Sequence, residues 1–201
     1  GSARVTPLGA AALFALLVAL VAGAAFAVLA YNAVVALRVR IDKAWGNVEV
    51  ALRQRHDQLP ALVDAVRDVM AFEQDVLGEV ARQRARYVPE APIPQQGEVS
   101  AATTAAVRSL FAVVERYPEL RSHENVLRLQ GEIERLEAQL ADRRELYNDQ
   151  VYRYNTTIAQ VPANALAALL GWRPRPFFAA GDVERPAVRL APPAGPAAGA
   201  G

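Results

Sequence analysis

From Leu8 to Ala30 the chain carries no charged residue, and this run restricts the folds open to it more than any other feature. As a helix it spans about 35 Å at roughly 1.5 Å per residue, enough to cross a hydrocarbon core of roughly 30 Å. A fully buried core helix of this kind needs apolar partners on every side, and no other stretch of the sequence supplies them. A single-span anchor is the reading its length favours. A cleaved signal peptide over 1–27 stays open, because Ala25-Phe26-Ala27 has the small-x-small form of a cleavage site. Arg4 precedes the run and Arg38, Arg40 and Lys43 follow it, so the positive-inside rule predicts a cytoplasmic domain after the span.

Composition narrows the chemistry. Twenty-two basic and 21 acidic residues leave a net charge of +1, which lacks the basic excess that bulk nucleic-acid binding needs. There is no cysteine, so disulfides, thiolate metal sites and cysteine nucleophiles are excluded.

Beyond the run, apolar residues recur at spacings of three and four, as on amphipathic helices, and no stretch alternates as a strand does. Val34, Ile41, Trp45, Val48 and Leu52 form one stripe. Neither Gly nor Pro lies between Ala24 and Trp45, so the span is expected to run straight into this first segment. Asp57 as N-cap and Pro60 in a first turn predict a new helix there, with Leu62, Val66, Val69, Val76 and Val80 as its core face. Three prolines and a glycine predict a loop over 88–98. A shorter helix with Leu110, Phe111 and Val114 ends before Pro118, and Ser122 is placed to cap a long fourth helix. On that helix Val126, Leu129, Ile133, Leu136 and Leu140 form a heptad seam. After one shift of phase Tyr147, Val151, Tyr154, Ile158 and Val161 continue it.

The expected fold is therefore all-α: one transmembrane helix continuing into an elongated antiparallel four-helix bundle. Its parts are an N-terminal flank over 1–7, the span over 8–30, the bundle over 31–161, an amphipathic aromatic segment over 162–180, and a disordered Ala/Pro/Gly tail over 181–201.

A set of short motifs now falls in a specific order: Tyr31-Asn32, Trp45, the stretch from Arg53 to Val63, Tyr117-Pro118, Glu124-Asn125, Leu129-Gln130, Arg143-Arg144, Tyr147-Asn148, Tyr154-Asn155, Pro162-Ala163-Asn164 and Phe177-Phe178. This pattern, from Tyr31 to Phe178, resembles the LemA family of bacterial membrane proteins. The chain departs from it at Gln58, where the family usually has leucine, and at Ala61, where it usually has asparagine. The resemblance implies an all-helical cytoplasmic or periplasmic domain on an N-terminal anchor, in a bacterial cell membrane or internal membrane. It implies no known reaction. Some members of the family are tied to magnetosome membranes, and others to membrane proteases or stress functions.

No catalytic, cofactor-binding or metal-binding residue is expected. A di-iron bundle needs Glu-x-x-His on two helices, and neither His56 nor His123 lies three residues after a glutamate. There is no phosphate-binding glycine loop and no Gly-x-Ser-x-Gly, and no small-molecule substrate is evident. Asn148 and Asn155, seven residues apart, share one helix face beside the seam. Tyr147 and Tyr154 are read as packing in the core, and each asparagine as bonding a neighbouring helix and fixing register, the alternative being a polar groove for a partner peptide. Arg143 and Arg144 are placed to hold Glu134 or Glu137, or to face solvent. At the far end Trp172, Arg173, Arg175, Phe177 and Phe178 mix rings and cations as interfacial segments do. They are expected to touch the membrane surface or the base of the anchor, or else to cap the bundle. The function expected is a non-enzymatic scaffold binding other proteins or itself. A lipid-surface role through 162–178 is the alternative, and a metal-dependent bundle enzyme ranks last.

Overall fold

A computed structural model of the chain describes residues 7–179. The tail expected over 181–201 and the flank before residue 7 lie outside the described residues. Six helices follow in order: α1 Pro7–Val66, α2 Gln74–Ala85, α3 Ile93–Val114, α4 Pro118–Arg121, α5 Glu124–Ala159 and α6 Ala163–Leu170. The fold is all-helical, with no strand among the described residues. Within α1 the apolar run is exposed almost throughout, from Leu13 and Phe14 to Val28 and Leu29. This is the one helix among the described residues that is long and apolar enough to cross a membrane.

The break expected at Asp57 and Pro60 does not occur. Instead α1 continues through Pro60 to Val66, and His56 and Asp57 are mid-helix rather than turn residues. Proline has no N–H to give the carbonyl four residues back, which here belongs to His56. Arg84 Nε, from α2, donates to that carbonyl at 3.3 Å. A donor from elsewhere in the fold thus meets the acceptor that proline leaves open. The core face expected for one helix is consequently split: Leu62 and Val66 close α1, Val69 lies in the turn that follows, and Val76 and Val80 belong to α2.

Two further boundaries move. The loop expected over 88–98 shortens, because α3 begins at Ile93 with a proline in its first turn, where proline costs no hydrogen bond. Gln96 turns back to donate to the carbonyls of Pro89 and Ala91, each at 2.8 Å. Ser122 is not the cap of the long helix. Its hydroxyl donates to the Pro118 and Glu119 carbonyls, and His123 holds the N-cap position of α5.

The seam on α5 is buried from Val126 through Leu140 and from Tyr147 through Ile158, with Val161 outside it and 82% exposed. Opposite it runs α1. Arg55 pairs with Glu137 at 2.9 Å, Arg143 Nη1 donates to the Asn47 carbonyl at 3.0 Å, and the Trp45 and Tyr147 rings lie 5.3 Å apart. Partner numbers on α5 fall as those on α1 rise.

The core divides in two. One apolar cluster gathers Leu59, Leu62, Val66, Met70, Val80, Leu110, Val126 and Ile133. The other gathers Val34, Ile41, Val48, Leu52, Leu140, Tyr147, Val151, Tyr154, Ile158 and Phe178. Each well-buried aliphatic side chain contributes about 1.5–3 kcal/mol. At the far tip the α1–α2 turn is tied to the α3–α4 turn, where Arg116 and the Tyr117 hydroxyl both donate to Glu73, at 3.1 and 3.2 Å.

Candidate functional site: a Tyr-Asn ladder and a buried charged layer

Tyr147 and Tyr154 are buried in the core, and Asn148 and Asn155 do not bond a neighbouring helix. All four hold the chain's own C-terminal segment, residues 173–178, along α5. The Tyr154 hydroxyl donates to the Arg173 carbonyl at 3.2 Å, and the Tyr147 hydroxyl to the Pro176 carbonyl at 2.8 Å. Asn155 Nδ2 donates to the Arg175 carbonyl at 3.0 Å, while the Arg175 N–H donates to Asn155 Oδ1 at 2.8 Å. Asn148 treats Phe178 in the same way, at 3.1 and 2.9 Å.

The repeat has a geometric cause. Seven helical residues advance about 10.5 Å, and they are matched here by three residues of the segment, 173 to 176 and 175 to 178. A chain covers at most about 3.3–3.6 Å per residue, so three residues reach that far only when nearly extended. Pro174 and Pro176 enforce this, since proline fixes its own φ and holds the residue before it away from the helical region. The ladder reads main-chain atoms; the side chain that anchors the segment is Phe178. That ring is fully buried and lies 5.7 Å from Trp45. Trp45 in turn donates from its indole N–H to Glu49 at 2.8 Å. Burial pushes the Tyr147 hydroxyl up to about 12, well outside the physiological range, so it stays a donor.

The segment also closes against α3. A Cβ on Gly97 would collide with the main chain of Ala179, so a glycine there is required for the close approach. Of the residues assigned to a membrane interface, Phe178 is therefore corrected to a core residue. Arg175 reaches Asp42 at 3.6 Å in an exposed pair, a contact worth little. Arg173 and Phe177 are exposed, and Trp172 is half-buried with its ring 5.9 Å from that of Tyr31.

Arg143 and Arg144 do not meet Glu134 or Glu137. Arg143 donates to the Asn47 carbonyl, and Arg144 is half-buried. Glu137 belongs to Arg55, which is 4% exposed. Arg55 Nη1 donates to Glu137 Oε1 at 2.9 Å and to Thr104 Oγ1 at 3.1 Å, and Nη2 donates to Ser100 Oγ at 2.9 Å. The Thr104 hydroxyl donates to Glu137 Oε2 at 2.7 Å. This layer joins α1, α3 and α5 between the two apolar clusters. A buried charge pair is tolerable only when further hydrogen bonds support it, and here both Glu137 oxygens and both terminal nitrogens of Arg55 have partners.

Beside the layer lies a cavity of about 10 Å³, lined by Leu52, His56, Arg84, Tyr87 and Gln96 among others. It is the size of one water, far below the roughly 300–1,000 Å³ of small-molecule sites. A shallow recess of about 150 Å³ lies over Pro60, Arg67 and Ala81. Burial, and then the Arg84 guanidinium, lower the basicity of His56 below its ordinary 6.5, against a smaller opposing effect of Asp57. His123 stands at the head of α5, exposed and in a different part of the fold. Among the described residues no group of three or more histidines and carboxylates is arranged to hold a metal ion.

An all-helical chain whose first helix is long and apolar enough to span a bilayer defines a class: membrane-associated helical proteins. The chain belongs to the LemA family, whose family model matches residues 44–191. It is also similar to two curated proteins of Paramagnetospirillum magneticum, "Magnetosome protein MamQ 1" and "Magnetosome protein MamQ 2". To each it is 34% identical over 73 residues, 36% of this chain. The match spans about a quarter of those relatives, 27% of the length of each.

Proposed function

We propose that this chain is a membrane-anchored scaffold without catalytic activity of its own, binding other proteins or further copies of itself. In this reading α1 crosses the bilayer once, and its second half packs with α2, α3 and α5 as an elongated antiparallel four-helix bundle in the cytoplasm. The observation that carries the reading is the continuity of α1 from Pro7 to Val66. A helix of that length measures about 90 Å, of which about 54 Å lies beyond Ala30. Anchor and body then share one stiff element, so a partner held on the body stands at a fixed distance from the membrane. Surface residues available to such partners include Val50, Leu127, Leu146 and Tyr152, and Phe72 at the tip, which is 97% exposed. The two relatives are named as magnetosome proteins, which supports a role for this chain at membranes of the kind that the family resemblance implies.

Photo-crosslinking residues at Phe72 and Tyr152, in the full chain in intact membranes, test this. Discrete protein adducts or self-adducts are expected. Lipid adducts alone, at both positions, would overturn the reading. A lipid-surface role is a second reading, favoured by the Trp172–Tyr31 ring contact. Metal-dependent catalysis ranks last, and a stoichiometric ion in the purified protein would revive it.

A further inference from the structure

We infer that the α6 end of the body rests on the phospholipid surface, with Val161, Leu169 and Leu170 seated at the boundary of headgroups and acyl chains. The inference rests on the reading that α1 spans the bilayer, and adds a second lipid contact to it.

Depth comes first. The apolar run ends at Ala30, and Tyr31 is the next residue. The Trp172 ring, just after α6, meets the Tyr31 ring at 5.9 Å. Along α1 the fully buried Val34 continues downward to the half-buried Ala30 and Ala27 on the same face. The body therefore covers the last turn of the apolar run, and its lower end shares the depth of the membrane boundary.

Chemistry follows. The eight residues of α6, Ala163–Leu170, carry no charge, and Ala167 is the one it buries in the body. Leu169 is 81% exposed, Val161 82%, and Leu170 nearly half. Apolar side chains left open on a helix with no charged face and on the turn before it, at this depth, are covered by acyl chains in the same way as the exposed residues of the span itself. Trp172 and Tyr31 sit where amphipathic rings collect at membrane interfaces. The exposed cations Arg38, Arg40 and Arg173 lie on the body side of that level, within snorkelling reach of headgroup phosphates.

The absence of cysteine permits a direct test. Single-cysteine variants Leu169→Cys, Leu13→Cys and Phe72→Cys of the full chain are nitroxide-labelled and placed in nanodiscs of phosphatidylcholine and phosphatidylglycerol. All three positions are exposed, so labelling leaves the packing intact. Collision rates with oxygen, which concentrates in lipid, are compared with those of a water-soluble nickel chelate. The oxygen-to-nickel ratio at Leu169 and Leu13 should exceed that at Phe72 several-fold. A Leu169 ratio equal to that of Phe72, with Leu13 lipid-like, overturns the inference and leaves the span standing. Shielding of Leu169 from both reagents, as by a second copy of the chain, also overturns it. An aqueous Leu13 removes the span and the inference together.

Discussion

Removing the amide side chains of the ladder, by Asn148→Ala and Asn155→Ala, should release the C-terminal segment without unfolding the helices. Each asparagine donates one hydrogen bond to the segment and accepts another. A hydrogen bond of this kind contributes about 0.5–1.5 kcal/mol net, so each substitution should cost about 1–2 kcal/mol, discounted because the groups are only partly buried. A loss of 1.4 kcal/mol is tenfold in an opening equilibrium. Either variant alone should therefore raise amide exchange at its own rung about tenfold, at Arg175 for Asn155 and at Phe178 for Asn148. The double variant should abolish local protection across 173–178, because Tyr147 and Tyr154 then hold carbonyls alone. Hydrogen exchange read by mass spectrometry on the full chain in nanodiscs resolves this segment from the helices. Exchange over 173–178 unchanged from the parent chain would refute the reasoning. So would loss of protection throughout α5.

Gly97→Ala should destabilise the protein by roughly 1 kcal/mol and speed exchange over 177–179, as a melting curve and exchange will show. The helix preference for alanine, about 1 kcal/mol, is outweighed by the collision with Ala179, since overpacking costs about 1–3 kcal/mol. Arg55→Met should cost about 3 kcal/mol in chemical denaturation by leaving Glu137 without its partner, and adding Glu137→Leu should recover much of the loss. Arg84→Met should cost about 1 kcal/mol in the parent chain and close to nothing in a Pro60→Ala background, where residue 60 regains an N–H for the His56 carbonyl. Acidification should also weaken the fold through His56. Its basicity is lower folded than unfolded, so the unfolded chain takes up the proton first, and stability falls as pH drops below about 6.5 and on through the lower folded value. A His56→Gln variant should lose less melting temperature over that range.

The apolar periodicity of α1 and α5 was legible because burial repeats along a helix at three and four residues, and nearly every residue of those stripes is buried. The buried charged layer left a signal too: Arg55 stands between Leu52 and Leu59, and Glu137 between Ile133 and Leu140, each on the buried face. Opposite charges interrupting two apolar stripes mark a pair. What local sequence cannot carry is a partner from far along the chain. Pro60 reads as a helix start until Arg84 supplies the donor, and Asn148 and Asn155 read as bonds between helices until Pro174 and Pro176 bring an extended segment alongside them. Gly97 reads as a loop glycine because nothing nearby in sequence announces Ala179.

A single unbroken α1, from the bilayer into the body, is what joins anchor and scaffold. A spin-label distance between Leu20→Cys and Val50→Cys, both exposed, measured in nanodiscs, addresses it most directly. Thirty helical residues predict a single narrow distribution near 45 Å, at about 1.5 Å per residue. A broad distribution, or one centred well below that length, would mean that the membrane run and the body are separate elements joined by a bend.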